Sequence, residues 1–242
     1  MTQQFYVSPE QVMKDRADFA RKGIARGRSV VVASAAEGIA LVAENPSPSL
    51  HKIGEIYDKI AFAAVGKYNE FESLRQAGVR YADVRGYSYD REDVTARGLA
   101  SVYAQSLGAV FTAEQKPFEV ELAVAEVGAR QELDHLYRLT FDGSIADEPG
   151  FIAMGGQVDS VHAAVAAAWQ PGESLDTVIK LAVRALNAGP QSSGETPQES
   201  LPAQLSADTL EVAVLDRDSE TNRGSGRAFR RLTLEEVSAA LA

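Results

Sequence analysis

Apolar positions along the chain recur with two periods, about 3.6 residues in some segments and two in others. The order in which these segments alternate points to the architecture. Residues 8–26 carry the helical period: Met13, Ala17, Ala20 and Ile24 form a modest stripe, and Lys14, Asp15, Arg16, Asp18 and Arg21 occupy the rest. The start of this helix is marked by Ser8 as N-cap, Pro9 at the first helical position and Gln11 completing an S-x-x-Q capping box. Val7 and Val12 stand where a hydrophobic staple would bracket the cap. Two apolar runs follow, 29–34 and 39–43, and the intervening Ala-Ala-Glu-Gly predicts a hairpin. Residues 60–65 predict a further strand ended by Gly66, and 68–77 return to helical spacing. Residues 93–111 predict a second long helix capped by Asp93, with Leu99, Val102, Tyr103, Leu107 and Val110 as its stripe.

From Phe118 to Val124 apolar residues alternate with Glu119 and Glu121, which is the period of a strand. Residues 136–141 and 145–154 flank Asp142-Gly143, a hairpin turn signal. An alanine-rich helix over 158–169 and an amphipathic one over 175–187 come next. Residues 189–207 are rich in Pro, Ser, Gln and Gly and read as a solvated loop. Strands are predicted at 210–215 and 229–232 around a polar turn at 216–227, and Thr233 with Glu236 forms a second capping box before a closing helix to Leu241. Helices thus come in pairs between groups of strands. A doubly wound parallel sheet would alternate them singly, so the pattern favours an α+β fold: two mostly antiparallel sheets with a helix pair on each outer face. No repeat or linker interrupts the chain, and one domain over 1–242 is expected.

The chain has 242 residues, 45% of them apolar, which suffices for one sizeable core. No apolar run reaches the roughly 18 residues of a transmembrane helix, so no membrane partner is expected. The opening MTQQFYVSPEQ lacks the pattern of a secretory signal. A formal net charge of −10 disfavours nonspecific binding to nucleic acid. Without cysteine there is neither disulfide nor thiolate chemistry, which fits a reducing cytoplasm. His51, His135 and His162 are too scattered for a ligand set, and no metal or other cofactor is expected. MGGQVDS at 154–160 lacks the remaining glycine and lysine positions of phosphate-binding loops and reads as a tight turn. The acidic DGSIADEP at 142–149 reads as a solvated hairpin, and no G-x-S-x-G nucleophile elbow is present.

Four strings carry a resemblance. KPFEVELAVAEVG (116–128) is similar to the Arg-Pro-Phe-Gly-Val strand of proteasome α-type subunits, and LYRLTFDGSIADEPGFIAMGG (136–156) resembles their Leu-Tyr…Gly…Ala-Gly hairpin. SLHKIGEIYDKIAFAAVGKYNEF (49–71) and RGYSYDREDVTARGLASVYAQS (85–106) match the same family, in its actinobacterial branch. The resemblance covers essentially the whole chain and implies the αββα four-layer sandwich of the N-terminal-nucleophile hydrolase superfamily. One stretch departs from it. After Ser8-Pro9 the family's α-type signature runs Gly-Arg-Leu-x-Gln-Val-Glu-Tyr-Ala, whereas this chain continues with Glu10 and QVMKDRADFARKGI.

Catalytic β-type relatives place a threonine nucleophile at the free start of the first strand, activated by its own amine, a lysine and a carboxylate. Aligned on Glu37-Gly38, the threonine position falls at Arg28, the acid at Glu44 and the lysine at Lys52. A guanidinium cannot attack a carbonyl. The resemblance therefore implies a noncatalytic subunit without cofactors, whose partner β subunits carry the nucleophile. It further implies a homoheptameric α ring that gates protein substrates entering a cytoplasmic 20S core. Lys52 would receive the C-terminal carboxylate of a ring-shaped AAA ATPase or another activator. Thr2, Gln3, Gln4, Phe5, Tyr6 and Val7, leading into Ser8 and Pro9, would form the gate, and the helix over 8–26 would make ring contacts. The alternatives are a hydrolase that processes itself to free Ser29 as nucleophile, and a free-standing binding domain.

Overall fold

The structure, a computed structural model, describes residues 8–188, 205–219 and 226–241. Helix α1 (Pro9–Ile24) precedes the hairpin of β1 (Val30–Ala35) and β2 (Gly38–Glu44), then β3 (Ile53–Tyr57) and β4 (Ile60–Gly66). Helices α2 (Tyr68–Ser88) and α3 (Ala96–Ala113) lead to β5 (Val120–Glu126), β6 (His135–Leu139), β7 (Ile145–Asp147) and β8 (Phe151–Met154). Helices α4 (Val158–Ala168) and α5 (Leu175–Asn187), strands β9 (Leu210–Asp216) and β10 (Phe229–Arg231), and α6 (Leu234–Leu241) complete the order. The strands form two five-stranded sheets, β10-β9-β2-β1-β8 and β3-β4-β5-β6-β7, with every pairing antiparallel.

Side-chain alternation sorts each strand between two apolar layers. Val30, Val32, Ile39 and Leu41 face inward with Ala61, Ala63, Ala123 and Ala125 of the second sheet. The opposite residues of β1 and β2, Val31, Ala33, Ala40 and Val42, pack under Val161 and Val165 of α4, Val178 and Ile179 of α5, and Val237 of α6. Phe62, Leu122 and Val124 pack under α2 and α3, through Leu74, Leu99, Tyr103 and Leu107. This is the αββα sandwich, and central strands buried on both faces explain why they read as nearly continuous apolar runs.

Helix α1 belongs to neither outer layer. Its Ala20 and Ile24 join the cluster between the sheets, and it covers the end of the sandwich where β5 begins and β4 finishes. Ser8 caps it, accepting from the Gln11 amide at 3.2 Å. The Gln11 side chain turns to Asp15 instead of back to the cap, so the box is half formed. Val7, the staple residue, lies outside the described residues, as does most of the predicted 189–207 loop. The second capping box is reciprocal: the Thr233 amide donates to Glu236 at 2.8 Å and the Glu236 amide to Thr233 Oγ1 at 3.3 Å.

Four sequence expectations are corrected and one strand, β3, is added to them. The helix predicted over 68–77 continues to Ser88. Thr95, not Asp93, caps α3, because Asp93 sits in a separate 3-10 turn of Arg91–Asp93. The predicted strand 145–154 is two strands in different sheets: β7 pairs with β6 and β8 with β1, and Gly150, at φ 84°, stands at the crossing. Strand β3 was not anticipated. The strand predicted from Phe118 begins at Val120, and the Glu121 side chain within it is buried.

At the end of the sandwich away from α1, Arg217 and Asp134 form an ion pair whose side chains are only 6% and 2% exposed. Asp134 Oδ1 accepts from Arg217 Nη1 at 2.7 Å and the Gly128 amide at 2.9 Å; Oδ2 accepts from Arg217 Nη2 at 3.0 Å and Ser34 Oγ at 2.6 Å. Arg217 also donates to the carbonyls of Ala35, Ala36 and Gly128. The pair thereby fastens the β1–β2 turn and the end of β9 to the β5–β6 loop of the other sheet. Arg217→Met leaves a buried carboxylate uncompensated and is expected to cost about 3–5 kcal/mol in chemical denaturation at fixed protein concentration. Adding Asp134→Asn should restore part of that loss; a single variant as stable as the parent would remove the pair from this role.

Candidate functional site

The three residues aligned on the catalytic set converge at the α1 end of the sandwich. The chain leaves α1 through Gly27, whose amide closes the last turn on the Ile24 carbonyl at 2.8 Å. Arg28 then lies just before β1, and Glu44 ends β2. The antiparallel register that pairs Val30 with Ala43 sets these two side by side, with Arg28 Nη1 3.3 Å from Glu44 Oε1. Lys52 precedes β3 in the other sheet, and its Nζ reaches across to donate to the Arg28 carbonyl at 2.8 Å. Burial lowers the Lys52 pKa to about 8; the charge of Glu44 opposes this, Arg28 adds to it and Glu211 opposes it. Among the described residues no carboxylate pairs with Lys52.

A functional group that sequence reasoning missed is Glu211 on β9, 7% exposed. Its Oε2 accepts from the Lys52 amide at 2.9 Å and from Asn45 Nδ2 at 2.7 Å. Its Oε1 accepts from the Ile53 amide at 3.2 Å and from Arg231, with His51 Nδ1 at 3.3 Å. In the sequence Glu211 is the lone carboxylate of the apolar run at 210–215, and its partners Asn45, Lys52, Ile53 and Arg231 lie far from it along the chain or on another strand. Glu121, likewise missed, is a second buried carboxyl at this end. Burial pushes its pKa up to about 7, against the charge of Arg138 and a hydrogen bond from the Gly155 amide.

The paired glycines of MGGQVDS are explained by close approach. Gly155 has φ 117°, and a Cβ there would stand 2.7 Å from Ser29 Cα. A Cβ on Gly156 would stand 2.1 Å from the Ala25 carbonyl oxygen, and the Gly156 amide donates to the Gly27 carbonyl at 3.1 Å. This turn is a bed for the segment between α1 and β1. The acidic 142–149 segment is a hairpin turn in which Asp142 accepts from the Ser144 amide at 3.0 Å, and no group of metal-ligating side chains occurs among the described residues.

A family model described as proteasome subunit matches residues 23–198. The chain belongs to the proteasome subunit family. Curated relatives are named proteasome subunit alpha: one from Renibacterium salmoninarum is 81% identical over 238 residues, covering 98% of this chain and 95% of the relative. One from Paenarthrobacter aurescens is 75% identical over 98% and 97% of the two chains, and one from Thermomonospora curvata is 58% identical over 100% and 99%. The match therefore spans both the sandwich and α1, and it is to alpha subunits. No helix among the described residues is long and apolar enough to cross a membrane.

In this proteasome subunit Ser8 caps α1 and Pro9 opens it, while the gate candidates Thr2, Gln3, Gln4, Phe5, Tyr6 and Val7 lie outside the described residues. Beside α1, Val12, Phe19 and Pro117 with Asp15, Arg16, Gln115 and Lys116 line an open hollow of about 570 Å³. The self-processing alternative meets a structural obstacle. Ser29 is buried and internal, and freeing its amine would detach α1, whose Ala20 and Ile24 fill the inter-sheet core. The intact mass of the purified chain is expected at the full 25.9 kDa, with Ser29→Ala leaving that mass and the peptide hydrolysis of the assembled particle unchanged. A product lacking residues 1–28 would revive Ser29 as a nucleophile.

Proposed function

We propose that this subunit is a noncatalytic wall of a proteasome core. It forms a homoheptameric outer ring over catalytic β subunits, admits protein substrates through a gate and docks an activator, with no cofactor, in the cytoplasm. The observation that carries the reading is Arg28 in the nucleophile's position, paired to Glu44 while the lysine of the set remains. With the nucleophile gone, Lys52 is a cation in want of an anion, set in a half-buried place where a charge-assisted bond is strong. A chain-terminal carboxylate, such as the tail of a ring-shaped AAA ATPase or another activator, is the ligand that fits. Exposed apolar side chains support assembly: Val12, Met13 and Phe19 on α1, and Val84, Tyr87 and Tyr89 at the end of α2, with Tyr87 94% exposed. Two separate patches suit a subunit with more than one neighbour, since ring closure joins unlike faces.

In particles assembled with β subunits, Lys52→Ala is expected to lower the ratio of activator-stimulated to unstimulated peptide cleavage roughly 10- to 100-fold, the worth of a hydrogen bond between charged groups. Because the ammonium is the binding form, stimulation should be greatest below about pH 8 and fall as pH rises through that value. An unchanged ratio in Lys52→Ala particles would sink the assignment.

The segment before Ser8 combines Gln3 and Gln4 with Phe5 and Tyr6, side chains able to pack with copies of themselves yet remain soluble. In the proposed ring it converges on the axis and closes the entry. Deleting residues 2–7 is expected to raise unstimulated hydrolysis of peptides by the assembled particle; a rate equal to that of the parent particle would count against a gate.

A further inference from the structure

Strand β2 ends at Glu44 in one sheet and β3 begins at Ile53 in the other, so residues 45–52 cross between sheets. They are bonded to their neighbours' backbone at the two ends, where the Asn45 amide donates to the Thr209 carbonyl at 2.8 Å and the Lys52 carbonyl accepts from the Ala64 amide at 3.0 Å. The crossing segment carries Lys52, and its two ends meet the same group. Glu211 stands opposite Ala43 on the neighbouring strand, and its two oxygens take Asn45 at the start of the segment and the Lys52 and Ile53 amides at its finish. Arg231 holds the next peptide, donating to the Ile53 carbonyl at 2.8 Å while paired to Glu211. Asn45 Nδ2 also donates to the Leu50 carbonyl at 2.8 Å, and Ser47 Oγ accepts from the Leu50 amide at 3.1 Å, which folds the segment on itself. The Lys52 side chain has one hydrogen-bond partner among the described residues, the Arg28 carbonyl. The place of its amine is therefore set by its backbone, whose amide Glu211 holds and whose carbonyl accepts from the Ala64 amide of β4 at 3.0 Å.

We propose that Glu211 is the positioning residue for Lys52: one buried carboxylate fixes the crossing segment so that the lysine amine stands at the Arg28 carbonyl, ready for an incoming carboxylate. The inference rests on the reading of Lys52 as the activator-tail site. The charged groups facing Lys52 are Arg28 before β1, Glu44 at the end of β2 and Glu211 on β9; Glu211 is faced by the charge of Arg231 of β10 and by the titratable ring of His51 from the crossing segment. Arg28 with Glu44 and Arg231 with Glu211 are balanced pairs, which leaves Lys52 as the surplus cation. This arrangement separates two roles of Glu211 by sign. If it acted only as a charge, its neutralisation would make the site more positive and tighten a carboxylate ligand. If it positions Lys52, the isosteric Glu211→Gln must weaken that ligand, because an amide NH2 now faces donors that need an acceptor.

The test uses particles assembled with β subunits and two synthetic tail peptides of one sequence, ending in a free carboxylate or in an amide, with binding read by fluorescence anisotropy. Glu211→Gln is expected to weaken the carboxylate peptide about tenfold, to leave the amide peptide unchanged and to add nothing in a Lys52→Ala background. Unchanged or tighter binding, or an undiminished loss in the Lys52→Ala background, overturns the inference. Asn45→Ala, which releases one end of the segment, should give a smaller loss in the same direction and decides the matter if Glu211→Gln does not assemble. Should Lys52→Ala bind the carboxylate peptide as tightly as the parent, the tail-site reading fails by itself. The positioning claim is then judged by acetylation of the Lys52 amine with acetic anhydride across pH in Asn45→Ala, which loosens the segment without removing a charge: a moved midpoint sustains it, and an unmoved midpoint overturns it.

Discussion

An apolar layer between two sheets attracts without direction, and something directional has to fix how one sheet lies on the other. In this subunit that constraint is met by buried carboxylates at the two ends of the sandwich. Asp134 with Arg217 ties the β1–β2 turn to the β5–β6 loop, and Glu211 with Arg231 ties β9 to the start of β3. Each oxygen is satisfied by two or more donors, which is the condition under which a buried charge is tolerated and not merely costly. The alanines of β4 and β5 at the inner face fit this division of labour. Small side chains supply burial but little shape to lock, and the polar bolts supply register.

Much of this architecture was legible because it is local. The caps at Ser8 and Thr233, the period of 175–187 and the turns at Glu37-Gly38 and Asp142-Gly143 are short-range signals, and they matched the elements found. The failures share a cause at longer range. Strand β3 is short and half-polar, with Glu55 turned out to pair with Arg227, so no apolar run announced it. The break between β7 and β8 was written in Glu148-Pro149-Gly150, a turn signal masked by apolar flanks on both sides. Asp93 offered a cap chemically as good as Thr95, and only the 3-10 turn before α3 decided between them.

The site divides along the same line. Arg28, Glu44 and Lys52 could be grouped in advance because alignment with catalytic relatives on Glu37-Gly38 names all three. The group that holds them could not, since Glu211 meets Lys52 and Ile53 across more than 150 positions of chain. A lone carboxylate in an apolar strand shows no partner until its donors, scattered over three elements, are assembled in space.

The fate of the hairpin's opening residue then follows from what precedes it. A nucleophile at the start of β1 requires a chain that ends there, with a free amine. Here the chain continues back through Gly27, laid against the Gly155–Gly156 turn, into a helix whose buried residues complete the inter-sheet layer. That helix occupies the end of the sandwich where a substrate would have to approach the strand. Once the end is filled, a hydroxyl at position 28 or 29 has no use, whereas a cation beside the same backbone still has one. The lysine keeps its place, and its partner changes from a nucleophile inside the chain to a carboxylate supplied from outside in the reading proposed for this subunit.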